Sequence, residues 1–296
     1  MAKARAIVKR RKAVQNICKI TRTMQLIATA RYQQAYNRAM RTHPYTAGIS
    51  HMAEQLSQGA GDIEHPLLRE NTESGRCVLL VLTSNRGLCG GYNSSLLREA
   101  VGQIKSLEHE GMQVDAHVFG KKGINYFKFL NRPIARQDTR FEDKPLFNQV
   151  EPIASELIEA YERKQLDAVY VTYMQFVSAA TQRVNTVKLL PIQPPESEEE
   201  LEEPPVETPQ PVAYEFNPPE EQLLGELLPE VVKVRLFQCF IDAAVSEQVA
   251  RMVAMKSATD AANDMIKTLT QQYNRARQTQ ITMELLDIVG GAEALQ

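Results

Sequence analysis

Apolar positions recur along this chain in two different rhythms. Near the start, Ile7, Val14, Thr21, Ala28 and Ala35 fall at seven-residue spacing, and Ile17 and Met24 follow Val14 and Thr21 by three. Near the end, Ile241, Ala244, Gln248, Met252, Met255, Thr259, Ala262, Ile266, Leu269, Tyr273 and Ala276 alternate in threes and fours. Both are helical seams of the a/d kind. Their residues are mostly Ala, Thr and Met, so the helices can approach closely while burying little area per turn. Between the seams the rhythm changes. Residues 76–83 form a continuous apolar run, as expected of a strand covered on both faces. Further strands are predicted at 113–119, 168–176 and 182–190, and helices at 94–107, 124–130 and 146–163. Strand–helix alternation of this kind implies a small sheet with parallel connections.

Glycine and proline punctuate the middle and spare the ends. Residues 1–42 and 230–289 contain neither. As one helix the second run would be about 90 Å long at ~1.5 Å per residue. No core of this chain could enclose such a rod, so its outer end calls for burial by something else. Two seamed helices with a folded segment between them imply an antiparallel pair. The expected architecture is α/β plus coiled coil: N- and C-terminal helices paired antiparallel, with an inserted Rossmann-like α/β domain. The expected divisions are a first shaft helix over 1–60, an α/β base over 75–193, an acidic Pro/Glu-rich loop over 194–211 and a second shaft helix over 212–296. If both helices start from one base, the second outreaches the first by roughly 20 residues, about 30 Å, placing the overhang near 271–289.

Charge sharpens this picture. The net charge is −2, yet no acid precedes Glu54, while eleven Lys and Arg residues do. Such an acid-poor, Arg-rich start resembles a transit peptide, but it continues as a long patterned helix. It could grip phosphates, although no aromatic platform accompanies it; a cationic rod in an anionic protein sleeve fits the pattern equally. The overhang is greasy at its extreme, with Ile281, Met283, Leu285, Leu286, Ile288 and Val289, and cationic just below, with Lys267, Arg275 and Arg277. A helix so apolar needs a large protein socket. The run 194–211, with Glu196, Glu198, Glu199, Glu200, Glu202, Glu203 and Glu207 among prolines, reads as a solvated loop.

Catalytic chemistry is not visible. Cys18, Cys77, Cys89 and Cys239 have no CxxC spacing and read as free thiols. The five histidines show no ligand spacing, and neither a Ser-His-Asp arrangement nor a GxSxG elbow occurs. No catalytic residue, cofactor or metal is expected. The glycine-rich turn from Asn85 to Gly91 sits where phosphate loops live, but it lacks the Lys-Ser/Thr of a P-loop and does not match GxGxxG. The turn therefore reads as a tight turn requiring positive φ, with glycine allowing close strand–helix approach.

Four stretches resemble the γ-subunit family of F-type ATP synthases: VQNICKITRTM at 14–24, TSNRGLCGGYN at 83–93, SEQVARMVAMK at 246–256 and ITMELLDIVGGA at 281–292. The resemblance covers nearly the whole chain. Asp287 stands where the family usually has Glu, and Phe216 departs from its usual Tyr-Glu-Pro after Tyr214. It implies a non-catalytic central-stalk rotor that couples proton flow to ATP synthesis or hydrolysis. Implied partners are the α and β subunits of the catalytic ring, the ε subunit and the c-ring, with no nucleic acid and no small-molecule substrate. The implied place is the cytoplasmic side of a bacterial inner membrane, peripherally attached. By motif matching, Arg277 and Gln278 align with the family's pair that meets the β catch loop. Met24 aligns with a shaft residue facing the β lever region, and Thr282 and Glu284 belong to the tip signature. The residues taken alone leave two other readings open, a nucleic-acid-binding protein and a coiled-coil tether.

Overall fold

The computed structural model describes residues 2–59, 65–141, 144–192 and 220–293. Helix α1 spans Ala2–Gly59 and α5 spans Glu220–Glu293. Between them lie β1 (Arg76–Leu82), α2 (Tyr92–His109), β2 (Gln113–Phe119), α3 (Lys121–Phe129), β3 (Arg136–Asp138), α4 (Phe147–Glu162), β4 (Ala168–Phe176) and β5 (Gln182–Leu190). The chain divides into two compact units: Met1–Ala30 with Leu88–Gly90 and Ala250–Gln296, and Arg31–Gly87 with Gly91–Val249. Both long helices run through both units.

The second unit is the α/β body. Its sheet has the order β3-β2-β1-β4-β5, with β5 antiparallel to β4 and the other neighbours parallel. The apolar run of β1 has a physical cause in this order. As the central strand it is covered on both faces, and six of its seven residues are buried. The main core joins the sheet to α4 and to the first turns of α5 through Leu80, Val169, Val171, Ile153, Leu157, Tyr161, Leu228, Val232 and Leu236. Further along, Ala35 and Ala39 of α1 pack on Ile241, Val245 and Val249 of α5. Two backbone carbonyls tie α5 and its neighbours together: Tyr92 OH donates to Ala243 O at 3.2 Å, and Ser246 Oγ donates to Met174 O at 3.1 Å.

The predicted fold class is borne out, and one strand was not foreseen. Pro44 lies inside α1 and Pro229 inside α5. An interior proline costs a helix ~3 kcal/mol. Around Pro229, buried Leu224, Leu228, Val231 and Val232 each return about 1.5–3 kcal/mol. Strand β3 is missing from the sequence reading because three residues carry no alternation. It pairs only with β2. The acidic run 194–211 and residues 212–219 lie outside the described residues.

The glycine-rich turn partly meets its expectation. Positive φ occurs at Gly90 (57°) but also at Leu88 (64°). The glycine that the fold most needs lies elsewhere. At Gly120 φ is 96°, and a Cβ there would sit 2.2 Å from the carbonyl oxygen of Thr83. This close approach lets Thr83 N donate to Phe119 O at 2.8 Å where β1 leaves the sheet.

Candidate functional site

The unit formed by the outer halves of α1 and α5 carries the predicted site residues. Its two helices pair antiparallel. The hydroxyls of Thr21 and Thr259 are 2.8 Å apart, each with a carbonyl of its own helix (Cys18 O, Met255 O) as an alternative acceptor. Cys18 Sγ donates to Asn263 Oδ1 at 3.2 Å, and the Arg11 guanidinium lies 5.4 Å from the ring centre of Tyr273. As residue numbers fall on α1, they rise on α5. Val14, Ala262 and Leu269 form the outermost buried cluster, with Ile7, Cys18 and Ile266 against it.

The α5 seam is the predicted one: each of its positions from Ile241 to Ala276 is buried or half-buried. The α1 seam is not. Ile17, expected inside, is 53% exposed. The covered positions are Ile7, Arg11, Val14, Cys18, Thr21, Gln25 and Ala28, so the second seam residue follows the first by four rather than three. Met24 is half-buried beside this line. The reason is steric. Small residues at 14, 18, 21 and 28 let the helices close, whereas the bulkier Ile17, Ile20 and Ile27 on one stripe, and Leu26 on another face, are exposed. Apolar residues fall on two faces of α1 at helical spacing, and the sequence alone gives no means of choosing between them.

Beyond Gln280 the described side chains of α5 are uncovered. Ile281, Met283, Leu285, Leu286, Ile288 and Val289 are exposed, Ile288 by 69%. The uncovered stretch therefore starts later than 271, because Tyr273 and Ala276 still lie half-buried alongside α1. The difference in helix length alone gave no register; the Thr21–Thr259 pair sets it. The bare end still presents several large apolar side chains on all sides, a surface that monomers seldom leave to water.

Arg277 and Gln278 sit at the foot of that end and are exposed. Among the described residues Arg277 has no ion pair. Thr282 Oγ1 donates to Gln278 O at 3.0 Å, and Gln280 Nε2 donates to Glu284 Oε1 at 2.8 Å. Helical spacing puts Arg277, Ile281, Glu284 and Ile288 on one face, and Gln278, Thr282, Leu285 and Val289 on the next. Four of the five predicted residues are thus gathered in two turns. Met24 is not among them: with Thr21 opposite Thr259, it lies about 30 Å down the axis at ~1.5 Å per residue.

Among the described residues the α/β body offers no competing chemical centre. Doubly wound sheets take ligands at the carboxyl ends of their strands. There, Phe240 of α5 occupies much of the space, edge-on to Phe119 at 5.3 Å and tilted against Phe141 at 4.6 Å, and leaves a cavity of about 30 Å³. The amide of Asn85 is engaged by Thr139 O, Phe141 O and Lys121 N, which locks the loop after β1 onto its neighbours. Burial pushes the Cys77 thiol up to about 11 and the Cys239 thiol to about 12, away from nucleophilic character. Among the described residues no cluster of His, Cys, Asp or Glu could hold a metal ion. No helix there is long and apolar enough to cross a membrane.

The likenesses to known proteins agree with this arrangement. The family model described as ATP synthase matches residues 3–295. The ATP synthase gamma chain of Rhodopirellula baltica is 46% identical over 296 residues, covering 100% of both chains. That of Leptospira biflexa is 38% identical over 100% of both, and that of Frankia casuarinae 40% identical over 97% of this chain and 96% of its own. Among solved structures, a chain of the Euglena gracilis mitochondrial ATP synthase (OSCP/F1/c-ring) has a TM-score of 0.63 at 16% identity, covering 99% of this chain and 95% of that one. A chain of the Tetrahymena thermophila mitochondrial central stalk and c-ring has a TM-score of 0.57 at 18% identity, covering 81% and 99%. These two likenesses concern the fold; full-length identity carries the family. A paired-helix unit with a bare apolar end, an α/β body whose ligand crevice is narrowed by its own helix, and these relatives place the chain in the ATP synthase gamma-chain family.

Proposed function

We propose that the chain is the central-stalk rotor subunit of an F-type ATP synthase and performs no bond chemistry itself. The observation that carries this reading is the exposed apolar end of α5 together with the exposed stripe of Ile17, Ile20 and Ile27 on α1. Among the described residues neither surface has a partner, and a collar of catalytic subunits supplies one. In that collar the shaft acts as a shaped element. The two helices present different faces: apolar on one stripe of α1, cationic along Lys9, Arg10, Lys12, Lys19 and Arg22, and apolar all round at the tip. Turning such a shaft changes what each surrounding subunit touches. Three chemically identical nucleotide sites are thereby held in different states, which is a coupling free energy transmitted through contacts.

Particular residues receive particular roles. Arg277 forks two hydrogen bonds onto a carboxylate of a β-subunit loop, and Gln278 adds a neutral contact beside it. The freedom of Arg277 from ion pairs among the described residues supports that role. Met24 bears on a second β region further down the shaft, and Thr282 and Glu284 complete the tip surface. The outer reaches of α1 and α5 serve as the shaft and the α/β body as the base, which meets the ε subunit and the c-ring. Attachment is peripheral, on the cytoplasmic side of a bacterial inner membrane. Affinity purification of the full chain from its native membrane tests the reading. It should bring down α, β and ε subunits with ATPase activity. Recovery of nucleic acid with a steep salt dependence and no such subunits would favour the basic-helix alternative instead.

A further inference from the structure

One half-buried acid in the α/β body has no place in the mechanism above. On α5, one turn apart, Gln238 and Asp242 lie side by side. Gln238 Nε2 donates to Asp242 Oδ1 at 2.9 Å. The other atom of the amide, Gln238 Oε1, is buried and has no hydrogen-bond partner among the described residues. The pair is therefore one hydrogen short. A carboxylate accepts only, so it cannot satisfy that oxygen, whereas a carboxylic acid can donate to it.

The surroundings also favour the acid form. Tyr173 of β4 and Cys239 of α5 are the ionisable neighbours that feel Asp242, and neither is cationic at neutral pH. From β5 comes Asn185, bonded to Tyr173, with Arg183 two residues away on the same strand. Arg235 acts on Cys239. On α1, Arg38 lines a cleft with Ile241 and donates to its own helix at Gln34 O. Among the described residues no cation is seen to lower the Asp242 carboxyl. Burial pushes its carboxyl from the ordinary 3.8 up to about 7.

We propose that Gln238 and Asp242 form a proton-binding site in α5: protonated, they close a two-point acid–amide ring, and loss of the proton opens it and loosens α5 against β4. In the closed ring Asp242 Oδ1 accepts from Gln238 Nε2, and Asp242 Oδ2–H donates to Gln238 Oε1. On opening, the proton passes to solvent and Oε1 is again unsatisfied. The sign follows from linkage. The fold favours the protonated form, so the stabilisation is complete at pH values below the ordinary carboxylate range and is lost as pH rises to and beyond about 7. The site does not depend on the rotor reading.

Hydrogen–deuterium exchange of the full chain in its native complex, corrected for intrinsic rates, tests this at pH 6 and pH 8. Peptides covering 236–246 and 170–176 should lose protection about tenfold between the two in the wild type. Asp242→Asn, whose amide can close the same ring, should hold the pH 6 protection at both. Constant wild-type protection, or an equal fall in the variant, would overturn the proposal. If the variant does not assemble, infrared difference spectra of the purified wild-type chain between the same two pH values decide. Loss of a protonated-carboxyl band on raising pH supports the site, and absence of such a band overturns it.

Discussion

Replacing Phe240 by Ala should unseat α5 from the α/β body. Phe240 is buried, with ring centroids 5.3 Å from Phe119 and 4.6 Å from Phe141, while those two stand 5.6 Å apart. Truncating a buried Phe costs about 3–5 kcal/mol. That range already includes the aromatic contacts, each worth ~0.5–1.5 kcal/mol. The cavity cannot collapse easily, because Tyr92 and Ser246 fix the neighbouring backbone at Ala243 and Met174. Those two hydrogen bonds contribute only about 1 kcal/mol each, so the aromatic cluster is the larger hold. Against a total stability of about 5–15 kcal/mol, roughly 4 kcal/mol is a severe loss. Urea unfolding of the full chain followed by far-UV circular dichroism should show a lower midpoint with an unchanged slope. Phe240→Leu should recover much of the difference. A loss below about 1 kcal/mol for Phe240→Ala would refute the claim that this cluster seats the helix.

Other substitutions separate backbone, helix and partner effects. Gly120→Ala should cost more than ~3 kcal/mol or prevent folding, since its Cβ would meet Thr83 O at 2.2 Å; the same unfolding curve reads it. Gly102→Ala, in α2 with open space around it, should instead stabilise by about 0.5–1 kcal/mol. Arg277→Ala should leave the unfolding curve of the chain unchanged. In steady-state assays it should slow ATP turnover of the assembled complex on the order of tenfold, the equivalent of one charge-assisted hydrogen bond of about 1.5 kcal/mol. Arg277→Lys should restore only part of that rate, because an ammonium cannot make the two-point fork.

The two rhythms in the sequence were enough for the architecture, and their failures have physical causes. The strand at 76–82 was legible because a central parallel strand is apolar throughout, whereas the three-residue β3 carries no period to read. The α5 seam was legible because one face holds nearly all of its regular apolar positions. On α1 two apolar stripes compete, and the choice rests on how closely a partner helix can approach, which depends on small side chains rather than on hydrophobicity. That is why Cys18 replaced Ile17 inside. Of the site, the bare end with Arg277 and Gln278 was visible from the absence of acids before Glu284 and the density of large apolar residues after Gln280. The need for glycine at Gly120 was not, because it arises from the approach of Thr83, 37 residues earlier in the chain. The Gln238–Asp242 pair was equally hidden, since an i,i+4 polar pair on a helix ordinarily faces water.

Direct observation of rotation tests the central claim. The catalytic ring would be fixed to a surface and a fluorescent rod attached through Lys105→Cys on the exposed face of α2; Cys77, Cys89 and Cys239 are buried and compete little for the label. With ATP the rod should turn continuously in one direction and stop when ATP is withdrawn. A rod that stays fixed while the same complexes hydrolyse ATP would show that the chain does not rotate, and the account would be wrong.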